Sequence, residues 1–298
     1  YFESFDNKKI PYLFFESKRE RYKNNIVIFH GMIEPIDRYA EFAEFLASNG
    51  YNVFVMEIRG HGELKDDEIG DFGKGGIKSV FKDIDNFFTK ILSKVGATPS
   101  NTTILGHSMG ALIGIQWGIK NKYKYFILSA FPLKTQLEVI GGKIATLLER
   151  IIFRKVSAFN KIFEKWNTSF EPNATKFDWL TRDEKVVENY ILDKDCGFLC
   201  TNTFFLDLIT LIREASDKKN LENINKDLPI LFISGKADPV GAYGRGVLKG
   251  YRMYKKAGLK NVKIKLYAQM RHEILNEIDK DKVYLDIYKF LESIYENN

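Results

Sequence analysis

Short runs of β-branched and aromatic residues alternate along this chain with longer segments in which apolar residues recur at helical spacing. This alternation is typical of a parallel sheet that is covered by helices on both faces. The predicted strands are Ile26–Phe29, Asn52–Met56, Thr102–Leu105, Tyr125–Leu128, Pro229–Ile233 and Val262–Leu266. The segment Arg38–Asn49 is predicted to form one of the helices, and it ends at Gly50, a usual C-terminal signal. The pattern therefore predicts an α/β fold.

The alternation stops between about Pro132 and Ser216, where helical periodicity continues without a convincing strand. We interpret residues 133–216 as an inserted helical cap, and residues 1–132 and 217–298 as the two parts of the core. Apolar residues of the insert are hypothesised to contact substrate: Ile144, Leu147, Leu148, Ile151 and Phe198. Packing of the cap onto the core would explain an apolar stripe equally well. Basic residues accompany the stripe: Lys143, Arg150, Arg154, Lys155, Lys161 and Lys165.

Composition narrows the class of protein. The chain has 298 residues, of which 45% are hydrophobic and 28% charged, a balance that describes a folded globular protein. The net charge of +6 comes with lysines spread along the chain, so we read them as solvated surface and expect no nucleic-acid partner. No stretch is long and apolar enough for a membrane span, and no signal-peptide pattern opens the chain. We expect a cytoplasmic protein, although a chain that begins at Tyr1 leaves a removed leader open.

The string Gly106-His107-Ser108-Met109-Gly110 follows a predicted strand directly and opens a segment of helical spacing. In this context a G-x-S-x-G string indicates a nucleophile elbow, in which the serine lies on a strained turn and its Oγ projects above the sheet. Side chains at the flanking positions would collide with neighbouring backbone, which explains the two glycines. Ser108 is therefore the candidate nucleophile, and the alternative is an ordinary glycine-rich turn.

The base and the acid follow from the order of residues. The sequence has four histidines: His30, His61, His107 and His272. A triad on this kind of elbow runs serine, acid, histidine along the chain, so the base must follow Ser108, and only His272 does. Asp238 lies just after Pro229–Ile233, the second-to-last predicted strand, where the acid is expected. The alternative is that Asp238 only forms a turn, because Asp-Pro is a common turn dipeptide.

Backbone amides near the elbow are expected to form the oxyanion hole. Met32 lies just after the first predicted strand, and Met109 opens the helix that follows Ser108. Their N–H groups are the candidate donors, and the position at a helix N-terminus favours the amide of Met109. Because a triad needs one base, we interpret His61 and His107 as structural residues.

These residues and their order resemble the α/β-hydrolase superfamily. Within it they resemble the group of monoacylglycerol lipases and bacterial lysophospholipases that is also described as serine aminopeptidase S33-like. The matching segments are His30-Gly31-Met32, Asp37-Arg38-Tyr39, Arg59-Gly60-His61-Gly62, Gly106–Gly110, Ala237–Val240, Arg271–Glu277 and, in the insert, Phe177–Asp183 and Asp195–Phe198. Pro35 departs from the group, whose members often have a histidine there. The resemblance implies an α/β-hydrolase fold, with a mostly parallel central sheet flanked by helices and an inserted helical cap.

The resemblance also implies a two-step acyl transfer, in which His272 activates Ser108 and Asp238 orients His272. This chemistry requires neither a metal nor an organic cofactor, and we expect none. The implied substrate is an ester of a single-chain lipid, a lysophospholipid or a monoacylglycerol, and the basic residues of the cap could meet an anionic membrane surface. The alternatives are a serine peptidase, a general carboxylesterase or thioesterase, and a binding module without activity, which the complete triad disfavours.

Overall fold

The computed structural model describes residues 1–19, 24–64, 70–133, 136–152, 156–222 and 224–295, with the backbone alone at 136–137 and 150–152. Within these ranges the strands are β1 Phe2–Glu3, β2 Lys9–Ile10, β3 Tyr12–Phe15, β4 Asn25–Phe29, β5 Asn52–Met56, β6 Thr102–His107, β7 Tyr125–Ser129, β8 Ile230–Gly235 and β9 Val262–Tyr267. The helices are α1 Ala40–Ser48, α2 Ile77–Lys90, α3 Met109–Lys120, α4 Gln136–Ile152, α5 Ile162–Asn167, α6 Glu184–Leu192, α7 Asn202–Ala215, α8 Lys218–Glu222, α9 Arg245–Lys256 and α10 Lys280–Tyr295.

One mostly parallel sheet organises the molecule, with the strand order β3–β5–β4–β6–β7–β8–β9. Strand β3 lies antiparallel to β5, and the other neighbouring pairs run parallel. The predicted strands coincide with β4 to β9, which confirms the α/β class and the parallel sheet. The sequence pattern does not predict β1 to β3, because β1 and β2 have two residues each and β3 is a partly exposed edge strand.

Alternate residues of the central strands face two different apolar layers. In β4, Val27 and Phe29 belong to the cluster that includes residues of α2 and α3. Ile26 and Ile28 belong to the cluster that includes residues of α1 and α10. Successive side chains of a strand point to opposite faces, so burial on both faces requires a continuous apolar run. Helices cover both faces of the sheet. The loops that follow β4, β6, β8 and β9 therefore lie at its carboxyl edge.

Between β7 and β8 the described residues form α4 to α8 and short 3₁₀ turns, with one isolated β-bridge between Val156 and Thr201. Helix α4 packs on α7, and α7 packs in turn on α3. The side-chain amide of Gln116 on α3 donates a hydrogen bond to the carbonyl of Leu211 on α7 at 2.7 Å. The segment is helical, as the sequence indicates. Its separation from the core as a cap at residues 133–216 stays a prediction, because α7 contacts both parts.

Candidate active site

Ser108 lies on the sharp turn between β6 and α3, with φ 50° and ψ −113°. Because residues with a side chain rarely adopt a positive φ, the backbone is strained at this position. A Cβ at Gly106 would lie 2.3 Å from the carbonyl oxygen of Gly110, and a Cβ at Gly110 would lie 2.1 Å from that of Phe29. The Ser108 amide donates to the carbonyl of Ser129 at 2.8 Å. This geometry is that of a nucleophile elbow.

His272 and Asp238 lie on neighbouring loops that follow β9 and β8. His272 Nδ1 is 3.0 Å from Asp238 Oδ1, and both side chains are buried. The Asp238 carboxylate also accepts a hydrogen bond from the amide of Val240 at 2.9 Å. The two loops are joined by the amide of Ala237, which donates to the carbonyl of Met270 at 2.9 Å. A carboxylate at Nδ1 fixes the ring and its tautomer, so that Nε2 can accept a proton.

The segment Trp179–Arg182, from the helical insert, packs on the loop that carries His272. The amide of His272 donates to the carbonyl of Trp179 at 3.4 Å, and the amide of Glu273 donates to the carbonyl of Leu180 at 2.7 Å. The ring centroids of Trp179 and His272 are 5.3 Å apart. The insert therefore contributes directly to the position of the imidazole.

A partly buried ion pair reinforces this contact. Arg182 Nε donates to Glu277 Oε2 at 2.8 Å, and the other oxygen of this fully buried carboxylate accepts from the amide of Arg271 at 2.8 Å. Arg182 also donates to the carboxylate of Asp279 at 3.1 Å. Because a buried carboxylate needs compensating donors, Glu277 holds the insert and the His272 loop in one arrangement.

Ser108 and His272 line the same small cavity at the carboxyl edge of the sheet. Its other lining residues are Gly31, Met32, Glu34, His107, Trp166, Trp179, Leu180, Val240 and Glu273. The volume of about 20 Å³ is close to the minimum that one water molecule or hydroxyl group needs. The structure thus brings the predicted nucleophile and base together and places Asp238 behind the base.

Met32 and Met109 approach the elbow from two sides. Met109 is the first residue of α3, where backbone amides have no intrahelical acceptor, and Met32 lies in the loop after β4. This loop is shaped by Glu34, whose Oε1 accepts hydrogen bonds from the amide of Gly31 at 2.6 Å and from the hydroxyl of Tyr39 at 2.8 Å. Sequence reasoning missed Glu34, because a single acidic residue in a loop gives no signal of burial.

Arg38 joins the loop after β4 to the His272 loop. Its Nε donates to Glu34 Oε2 at 3.1 Å, and a terminal nitrogen of the same guanidinium donates to the carboxylate of Glu273. The guanidinium carbon lies 4.8 Å from the ring centroid of Tyr190 on α6, a cation–π distance. The hydroxyl of Tyr190 donates to the carbonyl of Ile33 at 2.9 Å. The guanidinium of Arg38 therefore connects the loop that carries Met32 to the loop that carries His272.

The charges around His272 favour its protonated form. Burial disfavours the imidazolium, but the carboxylates of Asp238, Glu273 and Glu34 outweigh this effect and raise the pKa of His272 above its ordinary value. The ring of His107 lies 4.8 Å from that of His272. Burial, and then the nearby His272, lower the pKa of His107 to about 3, so His107 is neutral at physiological pH.

The remaining histidines contact the loops around the site. His30 Nε2 lies 2.8 Å from the carboxylate of Glu57, and His107 Nδ1 lies 3.1 Å from Ser129 Oγ. Burial, and then the neighbouring His30, lower the pKa of His61 to about 3. The structural role of His61 and His107 stays a prediction.

A larger cavity of about 640 Å³ extends from Ser108 and Met109 between α4, α5 and α7. Its apolar lining residues are Val139, Phe159, Ile162, Phe205, Leu208, Ile209 and Ile212, and polar residues near its rim include Lys165, Thr168, Ser169, Tyr243 and Arg245. The volume lies within the range of ordinary ligand pockets. The apolar part starts at Ser108 and runs under the helical insert.

This cavity is not lined by the α4 residues that the sequence singles out. Ile144, Leu147 and Leu148 are 54%, 40% and 53% exposed, and they lie on the outer face of the helix. The residues of α4 that line the cavity include Val139 and Gly142. The prediction of substrate contact by these three residues is therefore wrong for this cavity. The helical spacing is right, but the apolar stripe of α4 is exposed, and the inner face carries Val139, Gly142 and Thr146.

Phe198 also lies elsewhere than predicted, because its ring packs edge-on against His61 with centroids 5.3 Å apart. The side chain of Ile151 lies outside the described residues. Much of the apolar lining instead comes from α7, whose contributing residues are Phe205, Leu208, Ile209 and Ile212. Their i, i+3, i+4, i+7 spacing is a signal that the sequence contains.

The mostly parallel sheet, the elbow at Ser108 and the His272–Asp238 pair beside it define an α/β-hydrolase. The sequence model of the family described as "Serine aminopeptidase, S33" matches residues 20–279. The chain belongs to this hydrolase family.

Individual relatives are more distant. A monoglyceride lipase of Saccharomyces cerevisiae is 27% identical over 125 residues, which cover 41% of this chain and 39% of that protein. A putative monoglyceride lipase of Schizosaccharomyces pombe is 24% identical over 275 residues, which cover 92% of this chain and 68% of that protein. The structure of a thermostable carboxyl esterase from Bacillus coagulans in complex with glycerol has a TM-score of 0.86 at 23% identity and covers 98% of this chain and 97% of that one. This structural likeness shows the fold.

Proposed function

We propose that this protein hydrolyses carboxylic esters of single-chain lipids, with monoacylglycerol as the favoured substrate, through an acyl-enzyme on Ser108. One observation carries the proposal: Ser108 and the paired His272 share a small cavity beside an apolar cavity of about 640 Å³. The monoglyceride lipases among the relatives support this substrate class. A cytoplasmic location is part of the same proposal.

The reaction proceeds in two steps. His272 accepts the proton of Ser108 Oγ while that oxygen attacks the ester carbonyl, and the amides of Met32 and Met109 donate to the oxyanion. The bond to the alcohol then breaks, and the alcohol leaves with the proton from His272. Water gives a proton to His272 and attacks the acyl-enzyme. The bond from the acyl carbon to Ser108 Oγ then breaks, His272 returns the proton to this oxygen, and the fatty acid leaves. Asp238 orients the ring and stabilises the imidazolium in both steps.

The large cavity suits the acyl chain, because its lining is apolar and it begins at Ser108 and Met109. Each methylene that leaves water contributes about 0.8 kcal/mol, so a chain of about eight carbons could gain roughly 5 kcal/mol of binding. A peptide substrate would place backbone N–H and C=O groups against this apolar lining, where few partners exist. Acyl chains therefore fit this cavity better than peptides.

The small cavity suits a neutral alcohol. Glu34 and Glu273 both line it and share the guanidinium of Arg38, which leaves an excess of negative charge at its wall. A phosphate group at this wall would be repelled, whereas a glycerol hydroxyl can donate a hydrogen bond to a carboxylate. We therefore favour monoacylglycerol over lysophospholipid.

The outer face of α4 supports contact with a lipid surface. The exposed apolar residues of this face are Ile140, Ile144, Leu147 and Leu148, and the exposed Lys143 lies among them. An apolar helical stripe with basic neighbours binds in the plane of a membrane surface. In the described ranges no helix is long and apolar enough to cross a bilayer. We propose that this face docks on the lipid phase from which the substrate is taken.

Labelling with a fluorophosphonate tests the nucleophile. We expect one label on the wild-type protein at Ser108, no label on Ser108→Ala, and full labelling of the control Ser93→Ala, which changes an exposed serine in a 3₁₀ turn. Unlabelled wild-type protein would contradict the proposed mechanism.

A substrate panel tests the class. We expect kcat/KM to be higher for 1-monooctanoylglycerol than for a lysophosphatidylcholine, and both to exceed an aminoacyl anilide. Preference for the anilide would identify a peptidase, and preference for the lysophospholipid would refute the argument from the two carboxylates.

A further inference from the structure

Trp179 places a hydrogen-bond donor without a partner next to the candidate active site. Its side chain is 3% exposed, and its Nε1 has no hydrogen-bond partner among the residues that the structure describes. The indole lines the small cavity together with Ser108 and His272. A buried donor without an acceptor is costly, so a ligand that accepts from it gains affinity.

The comparison with Trp117 shows what the protein does with a buried indole elsewhere. Trp117 is also 3% exposed, and its Nε1 donates to the carboxylate of Asp85 at 2.8 Å. Trp179 has the same degree of burial and no such acceptor in the described chain. Its ring is held by the ring of Trp166, with centroids 5.1 Å apart, and by that of Phe163 in a stacked arrangement at 6.1 Å.

The lining of the small cavity also includes the acceptor side chains of Glu34 and Glu273. An indole N–H can only donate, and the ionised carboxylates of Glu34 and Glu273 can only accept. A hydroxyl group does both, so it can accept from Trp179 and donate to a carboxylate at the same time. An alkyl group at this position would leave the indole N–H of Trp179 without a partner.

We propose that Trp179 Nε1–H donates a hydrogen bond to a hydroxyl oxygen of the glycerol part of the substrate, which makes Trp179 a specificity-determining residue on the alcohol side. This inference rests on the proposed ester hydrolysis and adds the group that recognises the leaving alcohol. It predicts that the protein distinguishes a glycerol ester from an alkyl ester with the same acyl chain.

The experiment compares 1-monooctanoylglycerol with propyl octanoate, which has the same acyl chain and the same three-carbon skeleton without hydroxyls. The readout is the ratio of the two kcat/KM values in the wild type and in Trp179→Phe, which keeps an aromatic ring and removes the N–H. We expect the ratio to fall about tenfold, the effect of losing one hydrogen bond to a ligand. Trp117→Phe removes an indole N–H outside the cavity and should keep the wild-type ratio.

A general packing defect in Trp179→Phe would lower kcat/KM for both esters by the same factor and leave their ratio unchanged. An unchanged ratio would therefore overturn the inference. Wild-type hydrolysis of both esters without preference would also overturn it, while ester hydrolysis itself would stand. If the wild type hydrolyses neither ester, both the inference and the proposed function fail.

A second measurement leaves Trp179 intact. In ¹⁵N-labelled Ser108→Ala, the indole resonance of Trp179 should move downfield with 1-monooctanoylglycerol and stay in place with propyl octanoate. Equal behaviour with the two esters would overturn the inference even if Trp179→Phe does not fold.

Discussion

Replacing Arg38 with methionine would remove the shared cation of Glu34 and Glu273, which are 2% and 4% exposed. Removing one partner of a buried ion pair costs about 3–5 kcal/mol, because the remaining charge has no compensation. With an unfolding entropy of about 2.1 cal/mol/K per residue, this cost lowers the thermal midpoint by roughly 5–8 °C. Differential scanning calorimetry measures the change.

The same substitution should change the pH dependence of turnover. The carboxylates of Asp238, Glu273 and Glu34 already raise the pKa of His272, and the neighbouring His107 is neutral. Loss of a nearby cation raises the pKa of His272 further. When the pH is lowered, His272 of the variant therefore becomes protonated at a higher pH than His272 of the wild type, and the protonated ring cannot accept a proton. We expect the acid limb of kcat/KM to move upward by on the order of half a unit to one unit.

Arg59→Met is the matched control. Arg59 is 6% exposed and pairs with the buried Asp83 and with Asp6, away from the small cavity. It should lower the thermal midpoint by a comparable amount without moving the acid limb. An Arg38→Met protein whose acid limb stays at the wild-type pH would refute the electrostatic reasoning, and an unchanged midpoint would show that the ion pair adds no stability.

Other substitutions probe the nucleophile turn, the acid and the outer face of the insert. Asp238→Asn should lower kcat by about 10³–10⁴-fold in a soluble ester assay with little change in KM, and a loss below tenfold would indicate another acid. Gly110→Ala places a Cβ 2.1 Å from the carbonyl oxygen of Phe29 and should lower the free energy of unfolding by about 1–3 kcal/mol, whereas an unchanged urea midpoint would contradict the close approach. Ile144→Glu should slow hydrolysis of monoacylglycerol in vesicles but not of a soluble ester, with Leu192→Glu as the control for an exposed residue on α6; equal slowing by both variants would remove the special role of α4.

The sequence predicts the sheet well because its central strands are buried on both faces. Such a strand must be apolar at nearly every position, and β4 to β8 show this in short runs between helical segments. The order serine, acid, histidine then leaves His272 as the single histidine after Ser108. The structure places it 3.0 Å from Asp238.

The pocket could not be predicted in the same way. The apolar stripe of helix α4 is exposed, and spacing alone does not say which face of a helix meets the core and which meets solvent. Glu34 and Arg38 are charged residues whose burial depends on chain segments more than 200 positions apart, as the contact of Arg38 with Glu273 shows. Periodicity reports the local environment of a residue and contains no information on such distant partners.

The hydrogen bonds between the segment Trp179–Arg182 and the His272 loop have a consequence for engineering. A designer who wished to alter specificity by transplanting the whole insert from another member of the family would also replace the segment that holds the His272 loop. A graft that retains Trp179–Arg182 as host sequence, and exchanges only the helices before and after it, should keep the imidazole of His272 in its present position. Chimeras built with and without this short stretch would show whether selectivity can evolve independently of catalytic competence in this fold.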